Sequence, residues 1–142
     1  MKGAYIVHVD DDRDDAQWLK ESFRLYSSIA VSHFPNANSF LSAIPSFKNG
    51  NTPCLFVIDL NLPDIKGLEL IEKIKEDRCF DQVPIVMYTT GYSPADKTVC
   101  DKLGIELFKK PNTVKEWEAI CKIMALRCNH SLMSSETDGH SL

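Results

Sequence analysis

Carboxylates stand in this sequence where apolar runs stop. The run Ala4 to Val9 gives way to Asp10-Asp11-Asp12, and Cys54-Leu55-Phe56-Val57-Ile58 gives way to Asp59. Two further apolar runs, Val83 to Tyr88 and Ile105 to Phe108, end in Thr89-Thr90 and in Lys109-Lys110-Pro111. Brought together, these ends supply carboxylates, a hydroxyl and an ammonium. Clustered carboxylates repel one another and stay ionised when a cation sits among them. Hard oxygen ligands of this kind suit Mg²⁺, which keeps several waters and asks for one or two carboxylates. A carboxylate beside Mg²⁺, a lysine and a hydroxyl is equipped for phosphoryl transfer: it attacks phosphorus while the cations and donors steady the equatorial oxygens.

The elements that must position these groups alternate along the chain. Strands are expected at Ala4–Val9, Ile29–Phe34, Cys54–Ile58, Val83–Tyr88 and Ile105–Phe108. The third is apolar throughout, as in a parallel sheet covered on both faces. Helical periodicity appears in Ala16, Leu19, Phe23 and Tyr26 after a cap at Asp12, and in Leu41 and Ile44 before Pro45. It returns in Leu68, Ile71 and Ile74 within Lys66–Arg78. Ser93-Pro94-Ala95-Asp96 reads as a helix start and Gly104 as its stop. That helix has a narrow apolar face, Ala95, Val99 and Leu103. The last helix follows Asn112 or Thr113 and buries Trp117, Ile120, Cys121, Met124, Ala125 and Cys128. Five strands alternating with five helices predict a parallel α/β sheet with helices on both faces, whose functional groups lie beyond the carboxyl ends of the strands.

Composition narrows the function. The chain has 142 residues, 44% hydrophobic and 25% charged, which suits one globular domain and excludes collagen-like or disordered classes. No apolar run approaches the roughly 18–20 residues of a membrane span, and no secretory signal is expected. A net charge of -4 with scattered lysines argues against nucleic-acid binding. Five cysteines without a C-x-x-C pair predict reduced thiols and a cytoplasmic protein. The domain is expected over residues 1–128, with a polar, disordered tail over 129–142.

The segments Val9-Asp10-Asp11-Asp12, Ile58-Asp59-Leu60-Asn61-Leu62-Pro63-Asp64-Ile65-Lys66-Gly67, Pro84-Ile85-Val86-Met87-Tyr88-Thr89-Thr90 and Phe108-Lys109-Lys110-Pro111 resemble the receiver domain of two-component response regulators, in order and in spacing. The resemblance spans Ala4 to Cys128. It implies a flavodoxin-like doubly wound (βα)5 sandwich with strand order 2-1-3-4-5. It implies that Asp59 is the phosphoacceptor, that Asp10, Asp11, Asp59 and the backbone carbonyl of Asn61 hold Mg²⁺, and that Thr89 and Lys110 bind the phosphoryl group. Pro111 would follow a cis peptide, and Gly67 would relax the loop after Asp59. The phosphodonor would be a sensor histidine kinase or a phosphotransfer protein. The output would be a contact with a protein partner, or a homodimer through the face made by helix four, strand five and helix five. The protein would be a stand-alone switch that catalyses only its own phosphorylation and dephosphorylation, not an enzyme in the usual sense. Two positions depart from the family: Leu107 stands where an aromatic is usual, and Thr90 where the residue is commonly small.

Two rival readings differ in chemistry. A Mg²⁺ phosphatase of the haloacid dehalogenase type would use Asp10 as nucleophile, but Asp14 stands where that motif wants Thr or Val, and no acidic pair follows the lysine. A degenerate receiver would bind partners without being phosphorylated. Asp12, Asp14 and Asp15 read as acids favoured at a helix start. His8 reads as a buried, hydrogen-bonded core histidine, and Trp18 as a cover for the edge of the first helix or a partner contact.

Overall fold

The computed structural model describes residues 3–26 and 28–140. Five strands, β1 (Tyr5–Val9), β2 (Ala30–Phe34), β3 (Leu55–Ile58), β4 (Ile85–Thr89) and β5 (Glu106–Lys109), form one parallel sheet in the order β2-β1-β3-β4-β5. The helices are α1 (Arg13–Tyr26), α2 (Ala37–Ala43), α3 (Gly67–Lys75), α4 (Pro94–Leu103) and α5 (Val114–His140). Short 3-10 turns at Ile44–Phe47 and Arg78–Phe80 follow α2 and α3. The first carries Pro45, which cannot continue an α-helix.

Alternation along the strands divides the core in two. Val7, Val9, Phe56, Ile58 and Met87 face a cluster closed by α2, α3 and Cys100 of α4. Ile6, Leu55, Val57, Val86 and Tyr88 face the other, closed by α1 and α5 through Leu19, Phe23, Trp117, Cys121 and Met124. Both faces of β3 are covered, so its four residues are all buried and all apolar.

Local signals explain the boundaries. Asn36 caps α2 by accepting the Ser39 N–H at 2.7 Å, and Asp64 receives the Ala37 and Asn38 N–H groups at 3.0 and 2.7 Å. Ser93 and Asp96 form a reciprocal capping box on α4. Gly104 ends α4 at φ 71, a left-handed conformation that glycine adopts without strain. Thr113 caps α5, accepting the Glu116 N–H at 3.2 Å.

The structure corrects several expectations. The segment after Cys128 is not an irregular tail: α5 continues to His140. No proline or glycine interrupts residues 112–138, so nothing in the chain stops a helix already nucleated against the sheet. On α4 the buried residue is Cys100, while Ala95 and Val99 are exposed. A cysteine packs as a small hydrophobe, and that thiol, with half-buried Leu103, meets the core in place of Ala95 and Val99. The reduced-thiol reading fails for one pair: Cys54 and Cys128 form a disulfide, Cα atoms 4.7 Å apart, that joins the start of β3 to α5. Such a pairing depends on three-dimensional proximity and cannot be deduced from cysteine spacing. Cys79, Cys100 and Cys121 are free thiols. Among the described residues no peptide bond is cis, so Lys110–Pro111 is trans, the form still favoured before proline. Among the described residues no helix is long and apolar enough to cross a membrane.

Candidate functional site

The carboxyl ends of β1, β3, β4 and β5 meet on one edge of the sheet, and backbone hydrogen bonds extend the ladder into the site. The Asp10 N–H donates to the Phe34 carbonyl at 3.0 Å, the Asp59 N–H to Val9 at 3.0 Å, and the Lys110 N–H to Thr89 at 2.7 Å. Asp10, Asp59 and Lys110 are thus fixed by sheet pairing.

Asp10 is fully buried and Asp59 nearly so. Carboxylate oxygens of Asp10, Asp11 and Asp59 all lie within 4.8 Å of one another. Lys110 Nζ lies 2.8 Å from Asp10 Oδ2 and 3.3 Å from Asp59 Oδ2, with its side chain 8% exposed. The Asn61 N–H donates to Asp59 Oδ1 at 3.2 Å, curling the following loop back over the carboxylate. Thr89 is buried, and its hydroxyl donates to the Gly91 carbonyl at 3.2 Å.

Electrostatics separate the two buried acids. Burial pushes the Asp59 carboxyl up, the Asp10 charge adds to this, and the Asn61 N–H and Lys110 only partly offset it. Burial acts on Asp10 in the same sense. There, hydrogen bonds from His8, Lys110 and the Asp12 N–H prevail and bring it down to about 2. Burial disfavours the Lys110 charge, but the hydrogen bonds to Asp10 and Asp15 outweigh that and raise its pKa. Negative charge is under-compensated around Asp59. Three converging carboxylates of this kind fit a hard divalent cation.

Gly67 is the first residue of α3, and its role differs from the one expected. Its φ is not in the left-handed region. What excludes other residues is space: a Cβ there would meet the Asp59 carbonyl oxygen at 2.2 Å. The glycine lets α3 start directly against the backbone of the candidate phosphoacceptor, and its N–H donates to the Leu60 carbonyl at 2.9 Å.

Three further residues join the site: His8, expected in the core, Asp15, expected as a helix-start acid, and His33, which lies within the second strand. His8 is buried, as expected, but its Nε2 donates to Asp10 Oδ2 at 3.2 Å. Burial lowers the His8 pKa, against the hydrogen bond to Asp10, which raises it. His33 Nε2 donates to the Asp10 carbonyl at 2.7 Å. Asp15 pairs with Lys110 at 2.9 Å. Asp12 keeps the capping role expected of it, accepting the Asp14 and Asp15 N–H groups at 3.0 and 3.1 Å. Trp18 is 53% exposed and packs edge-on against Trp117, ring centres 5.7 Å apart. Thr90 is exposed, while Leu107 is half-buried and pairs with Met87 across β4 and β5.

The response regulator receiver domain family matches residues 6–121. The chain belongs to that family. It is 25% identical over 107 residues to response regulator Rcp1 of Synechocystis, covering 72% of this chain and 73% of that protein. It is 35% identical over 57 residues to chemotaxis protein CheY1 of Helicobacter pylori, covering 40% of this chain and 45% of that one. The structure of the receiver domain of a LuxO-type repressor from Vibrio parahaemolyticus superposes with a TM-score of 0.80 at 17% identity, covering 98% of this chain and all of that one. The Mn²⁺-bound form of Rcp1 superposes with a TM-score of 0.69 at 20% identity, covering 84% and 89%. These likenesses establish the doubly wound receiver fold and a response regulator receiver as the kind of protein.

Proposed function

We propose that Asp59 accepts a phosphoryl group from a sensor histidine kinase or phosphotransfer protein, and that the modified domain controls a protein partner. The observation that carries this is the convergence of Asp10, Asp11 and Asp59 within 4.8 Å, with Lys110 between two of them. Asp10, Asp11, Asp59 and the Asn61 carbonyl would hold Mg²⁺, which neutralises charge on the transferring oxygens when bound. The Asp59 carboxylate forms the new P–O bond as the P–N bond of the donor histidine breaks. Lys110 gives an N–H to a phosphoryl oxygen. Thr89 turns its hydroxyl from Gly91 to another. The dephosphorylated donor histidine leaves and the phosphoryl group stays on Asp59, so the domain works as a switch.

The phosphatase reading fits less well. Its nucleophile would be Asp10, whose oxygens already accept hydrogen bonds from His8, Lys110 and the Asp12 N–H. An acceptor so engaged is a poor attacking group, whereas Asp59 is held only by Asn61 and a longer contact to Lys110.

The test is incubation with Mg²⁺ and acetyl phosphate or beryllofluoride, with intact mass and tryptophan fluorescence as readouts. A Mg²⁺-dependent adduct or spectral change is expected in the wild type and absent in Asp59→Asn. No response in a wild type that binds Mg²⁺ would favour the degenerate receiver. Turnover that survives Asp59→Asn and dies with Asp10→Asn would favour the phosphatase.

A further inference from the structure

Lys110 has a partner that phosphoryl transfer does not require. Its Nζ lies 2.8 Å from Asp10, 2.9 Å from Asp15 and 3.3 Å from Asp59. An ammonium carries three N–H donors, and three carboxylates crowd around this one. The contact to Asp59 is the longest, beyond the ~2.7–2.9 Å of a strong charge-assisted hydrogen bond. Asp15 stands outside the trio whose oxygens converge on a metal position. It comes from the first turn of α1, where Asp12 fixes its backbone by accepting its N–H at 3.1 Å. Lys110 Nζ also lies 5.6 Å from the centre of the buried Tyr88 ring, so its route to the site is confined.

We infer that Asp15 is a positioning residue that draws Lys110 toward α1 and competes with the phosphoryl group of Asp59 for its ammonium. This rests on Asp59 being the phosphoacceptor. When a phosphoryl group arrives, Lys110 must release one carboxylate to donate to a phosphoryl oxygen. Asp10 stays engaged by His8 and by its place at the metal position. Asp15, half-exposed and able to be solvated, is the partner released. Until then its charge holds the ammonium off the acceptor and makes the phosphorylated state harder to reach.

The test uses the full chain in saturating Mg²⁺. Beryllofluoride affinity is measured by tryptophan fluorescence, and the initial rate of acetyl phosphate labelling by intact mass. Asp15→Asn should bind beryllofluoride roughly fivefold more tightly, the scale of one partly exposed ion pair, and should label faster. Asp15→Ala should do the same, and Asp15→Glu, which keeps the charge, should stay near the wild type. In a Lys110→Met background, the gain in labelling rate from Asp15→Asn should vanish. Unchanged or weaker binding in both neutral variants would overturn the inference, as would an equal rate gain without Lys110. A wild type whose beryllofluoride response is lost in Asp59→Asn yet indifferent to Asp15→Asn sinks this inference alone. A wild type with no response sinks the phosphoacceptor reading and this inference with it.

Discussion

Replacing Gly67 by alanine should damage both stability and the site, for a reason that is purely steric. The added Cβ would lie 2.2 Å from the Asp59 carbonyl oxygen, 2.9 Å from Leu60 Cα and 3.0 Å from the Asp59 carbonyl carbon. Carbon and oxygen approach comfortably only to about 3.3 Å, so α3 and the end of β3 must separate by about 1 Å. All three atoms are backbone, and no rotamer change relieves the overlap. Overpacking costs roughly 1–3 kcal/mol where side chains can yield. Here the hydrogen bond from Gly67 N–H to Leu60 is also stretched, for about 1 kcal/mol more. Alanine's better helix propensity returns at most about 1 kcal/mol. The net loss is about 3 kcal/mol. With a urea slope of about 1–3 kcal/mol per molar, the unfolding midpoint should fall by at least ~1 M. Gly104→Ala is the control: it has open space but a φ of 71, so it should lose only the ~1–2 kcal/mol of left-handed backbone strain. At a urea concentration where Gly67→Ala remains folded, its acetyl phosphate labelling should still be slower than wild type, because the Asp59 backbone has moved. A Gly67→Ala midpoint within about 0.3 M of wild type would refute the close-approach reasoning.

Asp64→Ala should destabilise by about 1 kcal/mol, the value of a lost helix cap, because Asp64 accepts the Ala37 and Asn38 N–H groups across the fold. Desolvation raises the Asp64 pKa, but several backbone donors, Ala37 and Asn38 foremost, together outweigh it and hold the carboxyl below the usual range. Its contribution should therefore be complete above the unfolded carboxyl value of about 3.9 and be lost as pH falls through the lower folded value, a difference visible between wild type and Asp64→Ala in acid titrations of unfolding. The native protein should present one fast thiol to maleimide, Cys79, since Cys100 and Cys121 are buried and burial pushes the Cys121 thiol up to about 11. Unfolded without reductant it should present three, and reduction of Cys54–Cys128 should lower stability by roughly 2–4 kcal/mol, read as a drop in the denaturation midpoint. Phe56→Ala, which empties the space between Phe40 and Phe80, should cost about 3–5 kcal/mol by the same assay.

The fold was legible because its signals are local and mutually consistent. An all-apolar β3, the Ser93–Asp96 box and Gly104 each mark an element without reference to the rest of the chain. So was the outline of the site, since a parallel sheet places the residues ending its strands on one edge. What the sequence hid depends on contacts between distant segments. Asp15 reads as a favourable helix-start charge, and only the arrival of Lys110 from the end of β5 makes it part of the site. His8 reads as core, and it is core, yet its alternation toward Asp10 gives it a carboxylate to hold. Cys54 and Cys128 are 74 residues apart, and neither carries a mark of its partner. The length of α5 is hidden because polarity alone does not end a helix, which stops at a stop residue or where its backbone finds other partners.

The same contacts suggest how a change at Asp59 reaches the surface. The Thr89 hydroxyl is spent on the Gly91 carbonyl, and Gly91 lies in the short link that leads to the capping box of α4. A hydroxyl turned toward a phosphoryl oxygen releases that carbonyl, and the link can then rearrange without breaking the cap. Beyond it, α4 buries Cys100 and sets Leu103 against the core, while Val99 is left to solvent. A helix anchored by so little apolar surface gives up little packing when it moves. Leu107 meets the same cluster from β5, opposite Met87. Being aliphatic, it has no ring to swing and no hydroxyl to place, so it can respond to Thr89 only by changing rotamer and filling volume. If Asp59 is phosphorylated as proposed, a switch built on these contacts would draw on the loose seating of α4 rather than on an aromatic that must choose between two pockets.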